Sequence, residues 1–510
     1  MINSWTLKVK DFGKISKADI KITPFMMFVG ENNSGKSYIL QLLWGIFIHV
    51  KPMIRLDILK DDQNFIQLLN ELENKIKGIN FEEGDEIHSI EINEDIQIRL
   101  MNILNKLLYA KKEWLVNTIF NYPIRIGHLE VSRDFYLKFK LEAEIKKVIT
   151  FQPIKESDSE EENFAEVPSE MYSFKLMLQS NNETENIATF AFPKEDNWDS
   201  LSRSVLLRII ETLVCRDYSI PPKIRQPFVG KLTAFRRRTF FDPIYFPASR
   251  TGFMYTYQTI LGNERKNMRA QLKDKFLNVS EREEFYGESQ RSNLRLTQPV
   301  QDFLEKLSEI YIDDQQEAYL DELEFLNKNV FQGRVILDQA NNYRFTPADS
   351  KEGLPLQVTS SLVAELAPIS IFLASQYDPE LFIIEESESH LHVKKQLELV
   401  RLFFRLINKG KSVWLTTHSD SFAQQVNNLL TLSQHSKKEE LFRELGYEEV
   451  DTLKDVSYSS CYQFKSKDGK TIVEEIELGP YGYVIPTFNN VLERLLIETS
   501  KIQNIGEVDG

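Results

Sequence analysis

The segment Phe28-Val29-Gly30-Glu31-Asn32-Asn33-Ser34-Gly35-Lys36-Ser37 lies between an apolar, strand-like run, Pro24 to Val29, and an amphipathic, helix-like run, Tyr38 to Val50. This is a complete P-loop with the flanks its chemistry requires, and it commits the chain to a strand-to-helix turn that binds a nucleotide. Gly30 and Gly35 let the backbone turn tightly enough for successive N–H groups to point inward at a β-phosphate, which then sits at a helix N-terminus. Lys36 is expected to reach the β- and γ-phosphate oxygens. The Ser37 hydroxyl is expected to enter the shell of Mg²⁺, a hard cation that prefers oxygen ligands. Gly30, Asn33, Ser34, Gly35, Lys36 and Ser37 are therefore the candidate nucleotide contacts.

The class of P-loop protein depends on where the remaining machinery lies. Leu381-Phe382-Ile383-Ile384-Glu385-Glu386 reads as a buried strand ending in two carboxylates, about 350 residues after Lys36. That separation is too large for a compact kinase or GTPase. A further apolar strand, Ser412 to Leu415, runs into Thr416-Thr417-His418-Ser419-Asp420 and so ends on an imidazole.

A P-loop near the N-terminus, a distant hydrophobic-Glu-Glu strand and a strand ending in Thr-His-Ser together resemble the ATP-binding-cassette ATPase head. More narrowly, the chain is similar to the branch that holds structural-maintenance-of-chromosomes and Rad-fifty-type heads, RecF, and the OLD-like ATPases of bacterial antiphage defence. The opening Leu7 to Ile15 and the run Ile384-Glu385-Glu386-Ser387-Glu388-Ser389-His390-Leu391-His392 share in this resemblance, although OLD-like proteins usually carry Pro at the position of Ser387. It covers residues 1 to 50 and about 340 to 425. The implied fold is α/β, an ABC-type head with a mixed sheet plus a compact α+β insertion. The resemblance implies ATP and Mg²⁺ as cofactors, with Glu385 holding Mg²⁺, Glu386 orienting or deprotonating the attacking water, and His418 sensing the γ-phosphate. Phosphoryl transfer needs a cation clamp, a positioned water and stabilised equatorial oxygens, and each of these residues supplies one part.

The same branch carries a signature helix shortly before the carboxylate strand, and Val358-Thr359-Ser360-Ser361-Leu362-Val363 is its counterpart here. Ser360 or Ser361 would cap that helix and aim its free N–H groups at a γ-phosphate. Leu362 stands where the family usually has glycine, and an ordinary capped helix running to Leu373 with a kink at Pro368 is the other reading. Cassette heads sandwich two nucleotides between two subunits, so the resemblance implies a homodimer or higher homo-oligomer in which Ser360 or Ser361 of one copy faces Lys36 of the other.

Three regions follow: residues 1–50 as the first half of the head, 51–240 as an inserted α+β region, and 241–510 as the second half. In the insertion, helical periodicity occupies Phe65 to Ile76 and Ile96 to Phe120, and strand-like stretches occupy Phe135 to Phe139 and Tyr172 to Met177. No long heptad run appears, which argues against a rod-like coiled coil. The acidic run Glu156 to Glu162 reads as a solvated loop. Tyr245-Phe246-Pro247-Ala248-Ser249-Arg250 resembles an OLD-like segment that returns the chain to the head, where Arg250 either contacts phosphate or pairs with a carboxylate. Arg236 to Arg238 and the basic stretch Arg265, Lys266, Arg269, Lys273 and Lys275 read as solvated faces. His390 and His392, at i, i+2 beside Glu388, have the look of a metal site, but they fall where the resemblance to cassette heads implies a dimer-contacting loop rather than zinc.

At 510 residues and 42% hydrophobic content the chain is an ordinary globular protein of two expected domains. A net charge of −14 argues against a surface coated for nucleic acid. Two cysteines, Cys215 and Cys461, suggest a reducing interior, and neither a signal peptide nor a spanning segment is apparent; a cytoplasmic location with no membrane contact is expected. After His418 come an amphipathic helix ending near Leu445, a hairpin from Ser460 to Leu478 and a closing helix, Phe488 to Thr499, with no Asp-x-Asp pair. A built-in metal-dependent nuclease is therefore not expected. The reading that results is an ATPase similar to those of Septu- or PARIS-type systems, whose nucleotide state controls a separate effector such as a nuclease, with nucleic acid touched in the complex. A nucleotide-locked scaffold with little turnover and a RecF-like repair ATPase are the alternatives.

Overall fold

The computed structural model describes residues 5–53, 62–77, 88–92, 94–133, 138–153, 164–180, 183–193, 243–257, 296–310, 318–338, 342–375 and 379–506, with single positions at 201, 204, 205, 209, 259, 260 and 377. The acidic run at 156–162, Cys215, Arg236 to Arg238 and the basic stretch at 265–275 lie outside the described residues.

Among those residues, one mixed sheet organises the chain. Its strands run in the order β5 (His128–Arg133), β1 (Trp5–Phe12), β2 (Ile15–Lys21), β16 (Lys470–Ile476), β15 (Ser459–Lys467), β3 (Phe25–Gly30), β14 (Ser412–Thr417), β13 (Leu381–Ile384), β9 (Pro243–Phe246). From β15 to β9 every pairing is parallel, whereas β5, β1 and β2 pair antiparallel. A second, antiparallel sheet is made of β4 (His88–Ile92), β6 (Lys138–Pro153), β7 (Phe164–Ser180) and β8 (Glu183–Pro193). A small one comprises β10 (Gly333–Leu337), β11 (Tyr343–Pro347) and β12 (Leu354–Pro355), and a ribbon of β17 (Leu478–Gly479) and β18 (Gly482–Tyr483) completes the strands described.

The helices are α1 (Lys36–Met53), α2 (Gln63–Lys77), α3 (Glu94–Phe120), α4 (Gln298–Glu309), α5 (Leu320–Phe325), α6 (Ser361–Leu373), α7 (Val393–Asn408), α8 (Asp420–Gln434), α9 (Lys438–Leu445) and α10 (Pro486–Gly506). They cover both faces of the parallel strands. Phe25, Met27 and Val29 of β3 enter an apolar layer with residues of α6, α7 and α8, while Met26 and Phe28 enter the opposite layer with α1 and α3. Such double cover explains why β3 and β13 are continuous apolar runs rather than alternating ones.

Several expectations change. Residues 94–133, assigned to the insertion, build onto the head: β5 pairs with β1, and α3 packs on α1, where Gly45 permits close approach to Ile119. The apolar stripe of α3 needed a partner, and the sheet edge supplies it. The two short strands expected there are parts of the far longer β6 and β7, although residues 134–137 lie outside the described set. The helix expected to end near Leu445 is two helices, α8 and α9, separated at His435 to Lys437.

Candidate active site

Parallel strands converge their C-terminal tips on one edge, which is where open α/β sheets place ligands. In register, Val29 of β3 pairs with Thr417 of β14, Leu415 of β14 with Ile384 of β13, and Ile384 with Phe246 of β9. The P-loop, His418, the two carboxylates and the Pro247-to-Arg250 turn therefore leave neighbouring strands at the same level. Four segments far apart in sequence become one site.

The P-loop has the backbone its glycines were expected to permit. Gly30 (φ 141°) and Gly35 (φ 99°) take positive φ, and Asn33 (φ 60°) joins them. At Gly30 there is also no room, because an added Cβ would lie 2.5 Å from the Phe464 carbonyl oxygen. Ser34 is fully buried. Lys36, first residue of α1, is 6% exposed, and its Nζ donates to the carbonyls of Gly30 (3.0 Å) and Glu31 (2.7 Å). Ser37 follows at half burial on the first turn.

Burial pulls the Lys36 amine down to about 8, against the raising influence of Glu386, Glu388, Glu31 and Glu385. A lysine whose pKa is lowered by folding costs stability below that value, and the cost fades as pH rises from about 8 toward the ~10.4 of the unfolded chain. Ligand binding runs the other way, since only the ammonium form pairs with phosphate. ATP affinity is expected to fall as pH rises through about 8, approaching tenfold per unit, and Lys36→Arg, which stays charged, should flatten the fall. Calorimetric titrations from about pH 7 to about pH 9.5 measure this; a flat parent profile would remove Lys36 as the phosphate partner.

Glu385 is 7% exposed. Its Oε2 accepts from the Ala248 amide at 3.3 Å, while its Oε1 has no hydrogen-bond partner among the described residues. The Tyr245 hydroxyl stands beside it, raised well above the usual phenol range by burial and by Glu385, and accepts from Gln41 Nε2 at 3.0 Å. Gln41 lies one turn beyond Ser37 on α1, and the i, i+4 spacing puts the two on one face of that helix. Glu386 is half-buried and takes a left-handed backbone (φ 43°). Its amide donates to Thr416 Oγ1 at 2.8 Å, and Ser389 Oγ donates to its Oε2 at 3.0 Å. An unfavourable φ held by two such anchors marks an imposed geometry.

His418 follows β14 at half burial. Burial and the Lys36 charge hold its imidazole below the usual value, against Glu386, so the ring is neutral at neutral pH. Its backbone amide donates to Glu388 Oε1, and Thr417 bonds the same carboxylate. Glu388 is a part of the site that the sequence reading missed: burial raises its pKa, and it locks the end of β14 to the loop after β13.

Arg250 takes the second of its two expected roles, pairing with a carboxylate. It is fully buried, bridging to Glu365 of α6 (2.7 Å, both side chains 0% exposed), and donates to the carbonyls of Glu385 (2.6 Å), Glu386 (3.1 Å) and Glu365 (3.2 Å). Glu365 also accepts from the Thr251 amide and hydroxyl. Ser360 is the N-cap residue of α6, but its side chain makes no capping bond, contrary to the expected role. Ser360 and Ser361 are instead exposed, while Leu362 folds back against the core. His392 caps α7, its Nδ1 accepting from the Lys394 amide, and no cluster of metal-ligating side chains occurs among the described residues. Nor does any described helix have the length and apolarity to cross a membrane.

A family described as an AAA ATPase domain matches residues 1–423. An uncharacterized protein of Methanocaldococcus jannaschii is 32% identical over 150 residues, which is 26% of this chain and 45% of that relative, so the match spans less than half of its length. Among solved structures the chain is similar to an SMC head bound to the C-winged helix domain of ScpA (12% identity, TM-score 0.32, 94% of this chain and 98% of that one). It is also similar to the SMC head domain of Thermotoga maritima (9% identity, TM-score 0.30, 94% and 100%). The family match takes in every site residue named from the sequence, from Gly30 to His418, and on that ground the chain belongs to the AAA ATPase domain family.

Proposed function

We propose that this ATPase hydrolyses Mg²⁺–ATP at a site completed by a second copy of the chain, and that it serves as the regulatory subunit of a bacterial antiphage defence system, controlling a separate effector such as a nuclease. The observation that carries the hydrolytic reading is the convergence of Lys36, Glu385, Glu386 and His418 on one sheet edge, all four linked electrostatically or through shared loops. The residues suit the metal: Glu385 is a buried carboxylate, the hard oxygen ligand such a cation prefers, and Ser37 lies on the first turn of the helix after the P-loop. Mg²⁺ would be held by Ser37 and Glu385, neutralising charge on the phosphates. Glu386 would orient the attacking water and His418 would sense the γ-phosphate.

The dimeric reading is supported by the start of α6. Val363 and Ala364 donate to the Ser360 carbonyl, and Ser360 and Ser361 are exposed, so the first N–H groups of a 13-residue helix face outward. Such a terminus favours an anion. Leu362, packed inward, does not cover it. The defence role rests on the resemblance of the Pro247-to-Arg250 turn and the two carboxylates to OLD-like ATPases. ATP turnover per protomer is expected to rise with protein concentration, and Ser361→Arg to lower it by about tenfold or more with ATP binding retained, since one outward-facing charge and bulk replace a phosphate contact. Turnover independent of concentration and untouched by Ser361→Arg would sink the composite site.

A further inference from the structure

We propose that Gln41 and Tyr245 position the metal-holding carboxylate: the Gln41 amide donates to the Tyr245 hydroxyl, which donates in turn to Glu385 and sets the orientation in which that side chain meets Mg²⁺. The inference rests on Glu385 holding Mg²⁺, as proposed above, and adds the two residues that hold Glu385.

The sheet brings the three groups together. Tyr245 pairs in register with Ile383, and both enter the apolar layer that also takes residues of α1. Glu385 extends this ladder past the end of β13, its amide donating to the Phe246 carbonyl at 2.9 Å. Side chains alternate along an extended chain, so Glu385, two residues after Ile383, leaves on the face that carries Tyr245. From α1, which packs on that face, Gln41 Nε2 reaches the Tyr245 hydroxyl at 3.0 Å. Glu385, after burial, raises the Tyr245 phenol, so the two lie within reach of each other. Tyr245 is 0% exposed, Glu385 7% and Gln41 8%, and all three are withdrawn from bulk water.

Only one order of protons satisfies both contacts. A carboxylate that holds a metal is ionised, so it accepts and cannot donate, and a phenol has a single proton to give. Were that proton spent on Gln41, the phenol oxygen would meet Glu385 lone pair to lone pair. The proton therefore goes to Glu385, where the bond is charge-assisted and stronger, and Gln41 presents its NH₂ group to the phenol oxygen.

Glu385 is then held from two directions, by the Ala248 amide on its Oε2 and by a link to the helix that carries Ser37. Because Ser37 and Gln41 share one face of α1, the two proposed metal ligands are tied together through two intervening side chains. Bonds of this kind keep a ligating carboxylate in its orientation, and losing one typically costs about 10–100-fold in metal affinity or activity.

Calorimetric titration of the full chain with a non-hydrolysable ATP analogue, once in EDTA and once with saturating Mg²⁺, gives the gain in affinity that the metal confers. Tyr245→Phe is expected to leave the affinity in EDTA within about twofold of the parent and to cut the metal's gain by about tenfold or more. Gln41→Met, which keeps length and burial but removes the donor, should cut the gain by less, because the phenol retains its proton for Glu385. A gain as large as the parent's in both variants overturns the proposal. So do equal losses with and without metal, which would place the effect in the phosphate cradle. A parent protein whose affinity does not change with Mg²⁺ would overturn Glu385 as the metal holder and this inference with it.

Discussion

Glu386→Gln is expected to lower ATP turnover by about 10²–10⁴-fold, the usual contribution of a positioned acid or base, while ATP affinity stays within a few-fold of the parent. The substitution is close to isosteric, so the amide bond to Thr416 Oγ1 and the hydroxyl bond from Ser389 both survive. What is lost is a negative charge facing Lys36 and His418. Without it both groups should titrate lower, because Glu386 raises each of them. Single-turnover measurements with radiolabelled ATP separate chemistry from binding. Turnover at the parent rate would move the water-positioning role to another residue, and Glu388, half-buried like Glu386 and bonded to the His418 amide, is the next candidate.

Arg250→Met is expected to destabilise the fold by about 3–5 kcal/mol, the range found when one partner of a buried ion pair is removed. The loss has two parts. Glu365 keeps its charge at 0% exposure with only Thr251 to bond it, and the carbonyls of Glu385 and Glu386 lose their donor. Pairing the change with Glu365→Leu should recover part of the stability, since the stranded carboxylate disappears, and a double-mutant cycle measures that coupling. Urea denaturation gives both quantities. A shift of less than about 1 kcal/mol for Arg250→Met would mean that the guanidinium is far better hydrated than its burial indicates.

The parts of the site legible in sequence are those whose chemistry fixes contiguous residues. Gly30 to Ser37 and Ile384-Glu385-Glu386 have local spacings that any phosphate cradle or carboxylate strand must keep, and β3, β13 and β14 were visible as short apolar runs. For Arg250 the sequence leaves two roles open, phosphate contact or carboxylate pairing, because its partners come from α6 and from the loop after β13, more than a hundred positions away. Glu388 stands in the run that carries the resemblance, but its role is not legible there, since it acts through a neighbouring strand by bonding the end of β14. The extent of β6 and β7 was lost for a related reason. Strands rich in Lys and Glu have weak local preference, and pairing along their whole length decides where they end. Likewise the apolar stripe of α3 announced a helix, but not which surface it covers.

The position of β3 also bears on how this protein is made. It is a central strand, and both of its neighbours, β14 and β15, come from residues 412–467. During synthesis Phe25-Met26-Met27-Phe28-Val29 leaves the ribosome long before either partner exists, an apolar strand with two unsatisfied edges. At about 5–20 residues per second the wait is on the order of half a minute, time in which such a segment invites chaperone capture or misassembly. The nucleotide cradle is translated long before the strands that wall it, β14 and β15.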